Sequence, residues 1–237
     1  MKKFLNSPML HYLFAGVGIV CMVLQAVFFA AVDDRGLLYR GHPAAVVTWI
    51  LVAAAALVSF LARKVRRLPK CPATVRGGGI GAGALGIAVT AVTLAVRGDW
   101  MTAIPAALGA VALGYVAWCR VRGVRYHFLA YGGCVIFLMF YLISRYRGWS
   151  AEPEGARYIL RLLALVCLML SVYQKAALGA GMGKREDHGF FTSMAMLLSF
   201  AAVPGSDHPV LFLGVGIWLL LDPRAVIWKK KMQEQTP

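Results

Sequence analysis

The sequence predicts an all-α fold, a polytopic transmembrane helical bundle of about eight spans. Three observations carry that expectation. Of 237 residues, 60% are hydrophobic and only 15% charged, more apolar surface than a water-soluble domain can bury. The mean hydropathy is +0.69. Apolar runs recur along the chain, each bounded by charge or by Gly and Pro, and several approach the roughly 20 residues that cross about 30 Å of hydrocarbon. Basic residues, finally, crowd into alternate connections.

The first span is read from Met9 to Val32. It follows Met1-Lys2-Lys3 as a signal peptide would, but its apolar run exceeds a usual signal core, so an uncleaved span is expected. The second runs from Pro43 to Leu61, the third from Gly79 to Val96 and the fourth from Met101 to Trp118. Phe128 to Ser144 and Tyr158 to Leu178 form the fifth and sixth. The last two, Phe190 to Val203 and Pro209 to Leu221, are curtailed because PGSDHP, Pro204 to Pro209, interrupts one long apolar run. A helix of about 14 residues covers only some 20 Å. Two short spans, a re-entrant hairpin and one kinked helix all fit that pattern.

Charge placement selects among them, because short loops rich in Lys and Arg stay cytoplasmic. With the N-terminus inside, the cytoplasmic segments hold Lys2, Lys3, Arg63, Lys64, Arg66, Arg67, Lys70 and Arg76. They also hold Arg120, Arg122, Arg125, Lys175, Lys184, Arg185, Arg224 and Lys229 to Lys231. The outer segments keep only Arg35, Arg40, Arg97, Arg145, Arg147 and Arg157, several beside Asp33, Asp34, Asp99, Glu152 or Glu154. A single final crossing would put the basic tail outside, so two short spans or a hairpin are expected, with both termini cytoplasmic at a plasma (inner) membrane. Tyr12, Trp118, Tyr126, Tyr173 and Trp228 fall near inner ends, and Tyr39, Trp100, Trp149 and Tyr158 near outer ends, as two interfacial belts.

The net charge of +15 follows from the same bias. Because it is spread over loops, it points to the lipid bilayer and its anionic inner leaflet as partner and not to nucleic acid. A protein partner or a homo-oligomer is a further expectation.

The stretch VRGGGIGAGALGIAV, Val75 to Val89, places Gly81, Gly83 and Gly86 in G-x-G-x-x-G spacing. A dinucleotide turn needs a preceding strand and an acid about 20 residues on. Here a basic loop precedes the motif and an apolar helix follows. The spacing instead matches small-xxx-small packing, Gly79 with Gly83 and Ala82 with Gly86, and the fourth span carries the row Ala106, Ala110 and Gly114. Close packing of the third span on the fourth is expected. GAGMGKRED, Gly179 to Asp187, resembles a phosphate loop but has Leu178 at the required first glycine and Arg185 at the magnesium-binding hydroxyl.

Cys21, Cys71, Cys119, Cys134 and Cys167 show neither a disulfide framework nor zinc spacing. His11 and His127 begin similar stretches, HYLFAG and YHFLAYGG, and could approach one another, yet both lie at an interface, so neither metal nor haem is expected. The same similarity suggests a four-plus-four tandem repeat with parallel halves, residues 1–125 and 126–237.

Ionisable groups within spans are the default functional candidates, and this chain offers few. Arg161, one turn inside the sixth span, can snorkel to the outer interface or meet an anion. Gln25 and Gln174 are suited to interhelical hydrogen bonds, as are Thr90, Thr93, Ser171, Ser193 and Ser199. Asp33, Asp34, His42, Asp99, Asp207 and His208 could assemble an outer polar site. No protease or hydrolase motif is present, so no catalytic residue is assigned and no cofactor is expected. The glycine-rich third span, Pro105 and the curtailed last pair incline the reading towards a transporter or transport subunit for an apolar or amphipathic small molecule or lipid. A non-transporting scaffold, sensor or assembly partner is the alternative, with a membrane-embedded lipid-modifying enzyme behind both.

Overall fold

The computed structural model describes residues 9–31, 42–63, 73–149 and 156–223. Lys2, Lys3, Asp33 to Arg40, the basic run Lys64 to Lys70, Cys71, Glu152, Glu154 and the tail from Arg224 lie outside the described residues. Among the described residues eight helices follow one another: α1 Met9–Ala30, α2 Pro43–Ala62, α3 Ala73–Val96, α4 Trp100–Arg122, α5 Ala130–Trp149, α6 Ala156–Gly179, α7 Arg185–Ala202 and α8 Pro209–Leu221. Among the described residues every regular element is helical.

Among the described residues five stretches are long and apolar enough to cross a membrane: Met9–Ala30, Pro43–Ala62, Gly77–Val96, Trp100–Arg122 and Tyr158–Gly179. Their outer faces carry exposed aliphatic and aromatic side chains, among them Ile50, Leu57, Phe60, Leu85, Val92, Leu108 and Val111. Such a surface is stable against acyl chains and not against water. The last pair is two helices, not one kinked helix, and the turn at 203–208 reverses the chain. With 13 residues, α8 is about 20 Å long.

The helix ends follow local chemistry. The Asp99 side chain caps α4, accepting hydrogen bonds from Thr102 N at 3.3 Å and Thr102 Oγ1 at 3.1 Å. Gly98, at φ +80°, supplies the left-handed turn that separates α3 from this cap. Gly123, at φ +70°, ends α4 as a left-handed C-cap.

Helices α3, α4, α5, α6, α7 and α8 each pack on the next, and α8 returns to α3, closing a ring. Helices α1 and α2 pack outside that ring against α7. Helix α7 therefore has neighbours on nearly every side, and its residues from Thr192 to Ala202 are all buried. Thr192, Ser193, Ala195, Ser199, Ala201 and Ala202 are small, which helps four helices to share it. Among the described residues α6 packs extensively on α7, whereas α2 makes no comparable contact with α3.

The glycine row meets a different partner from the one expected. Helix α3 does pack on α4, but Gly79, Gly83 and Gly86 face α8. A Cβ at Gly83 would lie 3.0 Å from the Trp218 ring, and one at Gly86 2.8 Å from the Val210 carbonyl oxygen. Gly214 completes the approach from α8, where a Cβ would stand 2.7 Å from the Ala82 carbonyl oxygen. On α4, Ala106 is buried and Ala110 packs against the core, while Gly114 faces open space. Gly109 instead brings α4 onto Gly133 and Phe137 of α5.

Candidate functional site

Successive helices run up and down, so their ends gather at two poles. The pole where α1, α3, α5 and α7 begin is here the His11 end, and the other is the His208 end. Each holds a polar cluster.

At the His11 end, the chain leaves α8 at Asp222, whose side chain is fully buried. Arg120, from the last turn of α4, donates through Nη1 to Asp222 Oδ1 at 2.8 Å. Its Nη2 donates to the hydroxyls of Tyr126 and Tyr131, at 2.8 and 2.9 Å. Lys175, on α6, donates to Asp222 Oδ2 at 3.2 Å and to the Asp222 carbonyl at 2.7 Å. Trp218, one turn back on α8, stacks parallel to Tyr131 and lies under the ammonium, with Lys175 Nζ 4.8 Å from the ring centroid. Two cations thus share one carboxylate, in a layer where Arg120, Lys175, Asp222, Tyr131 and Trp218 are each at most 7% exposed. Buried charges persist when paired and hydrogen-bonded, and here both cations bond to the one carboxylate, which leaves the cluster net positive.

A second chain of hydrogen bonds adjoins it. His188 on α7 lies with Nε2 3.2 Å from the Pro223 carbonyl, so Nε2 carries the proton. Nδ1 then accepts from Thr192 Oγ1 at 3.2 Å, and Thr192 in turn accepts from Ser171 Oγ at 3.0 Å. His11 reaches the Leu220 carbonyl from α1 at 3.3 Å, and Arg63 at the end of α2 pairs with Asp187 of α7. The end of α8 is therefore held by side chains from α1, α4, α6 and α7.

At the His208 end the sequence-selected residues converge. Arg161 is buried and lies 3.8 Å from Asp207 across the turn between α7 and α8. The adjacent His208 has Nδ1 3.1 Å from Thr93 Oγ1 and Nε2 3.2 Å from Arg145 Nη2. A guanidinium only donates, so Nε2 is the acceptor and Nδ1 holds the proton. That proton is donated to Thr93, whose hydroxyl donates to the Thr90 carbonyl at 2.8 Å. Asp99 joins the group through Ser144, which precedes Arg145 on α5. Burial and the nearby Arg145 and Arg97 guanidiniums push His208 down to about 4, against the opposing pull of Asp207 and Asp99.

No family model, no curated protein and no solved structure matches this chain. The chemistry of the two clusters therefore has to be read from their own residues. Among the described residues no group of three or more His, Cys, Asp or Glu side chains is arranged to hold a metal.

The remaining candidates lie apart from both clusters. Gln25 is buried in α1, and Gln174, beside Lys175 in sequence, has a buried Oε1 without a hydrogen-bond partner. His127 is exposed and stacks on Phe128, in a setting unlike that of buried His11. Asp33 and Asp34 lie outside the described residues, and His42 caps α2 by accepting from Ala44 N at 3.3 Å.

Sequence reasoning missed the His11-end cluster. It assigned Arg120 and Lys175 to cytoplasmic segments and passed over Asp222, whereas all three are interior. One signal was present: Lys175 stands inside the apolar run Tyr158 to Leu178, and Asp222 directly follows another. Arg161 likewise finds an acid and not only an interface.

The His208 assignment gives a pH prediction. Its folded value lies below the unfolded value of roughly 6.5, so between those values the unfolded chain binds more protons. This contribution to stability is present above about 6.5 and is lost as pH falls towards about 4. The thermal midpoint of detergent-purified protein should drop more between pH 7 and 4.5 for wild type than for His208→Gln. Parallel curves for the two proteins would refute the assignment.

Proposed function

We propose that this chain is an eight-span membrane transporter, or a transport subunit, for an amphipathic small molecule or lipid. In this reading the His11 end faces the cytoplasm, in keeping with the basic residues Arg63, Arg122, Arg125, Lys184 and Arg185 around it. The observation that carries the reading is the pairing of two electrostatic latches at opposite poles of one helix set. Arg120, Lys175 and Asp222 tie α4 and α6 to α8 at one end. Arg161 with Asp207, and Arg145 with His208, tie α6 and α5 to the start of α8 at the other.

Alternating access requires that each end open while the other stays shut. Ion pairs between separate helices suit that task because each has a second partner, water, when broken. The short α8 and its glycine contact with α3 allow sliding with little side-chain entanglement. Between the latches lies an apolar layer that includes Phe137, Leu138, Tyr141, Leu211, Phe212 and Val215, all nearly fully buried. Such a dry, tightly packed layer favours a second reading, a scaffold or assembly partner with a permanently dry core.

Native mass spectrometry of protein extracted gently from its own membrane separates the two. The transport reading expects a retained amphipathic molecule and no other protein, or a ligand held at the interface with an energising subunit. A stoichiometric protein partner without any ligand would replace it with the scaffold reading.

A further inference from the structure

The His11-end cluster is rich in donors and poor in acceptors. Arg120 and Lys175 bring two positive charges, and Tyr126 and Tyr131 bring hydroxyls, while among the described residues Asp222 is the single carboxylate bonded to both cations. Among the described residues two of its donors have no acceptor: the Trp218 indole N–H and Arg120 Nε are both buried without a hydrogen-bond partner. Trp218 is completely buried, and the benzo side of its ring is the part that meets Gly83 of α3. Its N–H is on the opposite edge of the indole. A buried donor left unmet is costly, and a site with surplus positive charge as well is short of one thing, an anion.

We propose that the Arg120–Lys175–Trp218 cluster is a receptor for an anionic oxygen head group, phosphate or carboxylate, and that Asp222 occupies the anion's place until one arrives. A planar guanidinium fork matches two oxygens of either group, the ammonium adds a point charge, and the indole adds a neutral donor. An incoming anion exchanges with the Asp222 carboxylate as partner of both cations, which releases the end of α8 from α4 and α6. The approach is from the pole itself, where Arg122, Val124 and Arg125 lie exposed just past Arg120 and raise the local anion concentration. The consequence for α8 rests on the transport reading; the binding of the anion does not.

The test uses the full chain purified in detergent at constant ionic strength and follows its melting midpoint. Inorganic phosphate replacing chloride is one probe, and mixed micelles containing phosphatidate in place of phosphatidylcholine are the other. At ten times the dissociation constant the midpoint of wild type should rise by about 4 °C. A response to phosphate alone identifies a soluble anion, and a response confined to phosphatidate identifies a lipid head group; each supports the site. Asp222→Asn should start lower and gain more than wild type, since its resident competitor is gone. Lys175→Met, which keeps the Arg120–Asp222 pair and a folded pole, should gain less. Absence of any shift in wild type, or equal shifts in wild type and Lys175→Met, would overturn the proposal. A null result here with a neutral amphipathic molecule retained in native mass spectrometry would leave the transport reading standing.

Discussion

Asp222→Ala is expected to lower stability by about 3–5 kcal/mol, because it strands Arg120 and Lys175 as two buried like charges. For a chain of this length that corresponds to a midpoint lower by about 10 °C. Lys175→Met should be far milder, within about 1 kcal/mol. It removes one charge of a cluster whose surplus is positive, leaves Arg120 bonded to Asp222 at 2.8 Å, and forfeits the ammonium's bonds to Asp222 Oδ2 and to a main-chain carbonyl. The asymmetry is the informative quantity. Thermal unfolding in a single detergent, followed by tryptophan fluorescence, measures both, and equal losses would mean that the cluster is not organised around the carboxylate.

The second large effect concerns the contact of α3 with α8. Gly214→Val places a branched side chain where even a Cβ would lie 2.7 Å from the Ala82 carbonyl oxygen and 3.1 Å from Gly86 Cα. Those are backbone atoms, which cannot rotate away, so the helices must separate. The expected cost is about 3 kcal/mol, at the upper end for overpacking, since the closed ring of helices opens at this seam. Gly81→Ala on α3 is the control: it has open space, and it should be neutral or stabilise by up to about 1 kcal/mol through helix propensity. A loss for Gly81→Ala as large as that for Gly214→Val would show that glycine is needed in α3 for some reason other than close approach.

These two sites also show how far the sequence could be read. The small-xxx-small spacing announced that α3 approaches another helix closely, because a period of four returns to one face of any helix. It did not say which helix, since the row Ala106, Ala110 and Gly114 on α4 offers the matching period, whereas α8 offers only Gly214 towards α3. Covalent adjacency favoured α4, and packing gave the glycine face to α8. At the His208 end, Asp99, Asp207 and His208 were legible as polar residues in turns, and Arg161 as a charge inside a span. Arg145, which joins them, looked like any basic residue beyond a helix.

Local chemistry was thus enough to determine an all-helical, apolar chain and the rough place of each helix, although α3, α4, α5 and α7 run up to six residues beyond the apolar stretches. Apolar runs long enough for hydrocarbon must become helices, since no other unclosed backbone satisfies its own hydrogen bonds there, and Gly98, Asp99 and Gly123 mark the turns between them. Partnership was decided only by the tertiary structure. Whether Lys175 faces a headgroup layer or Asp222 depends on the rotation of α6 about its axis and on where α8 ends. Both are outcomes of how eight helices fill space together, and neither is a property of residues that are neighbours in the chain.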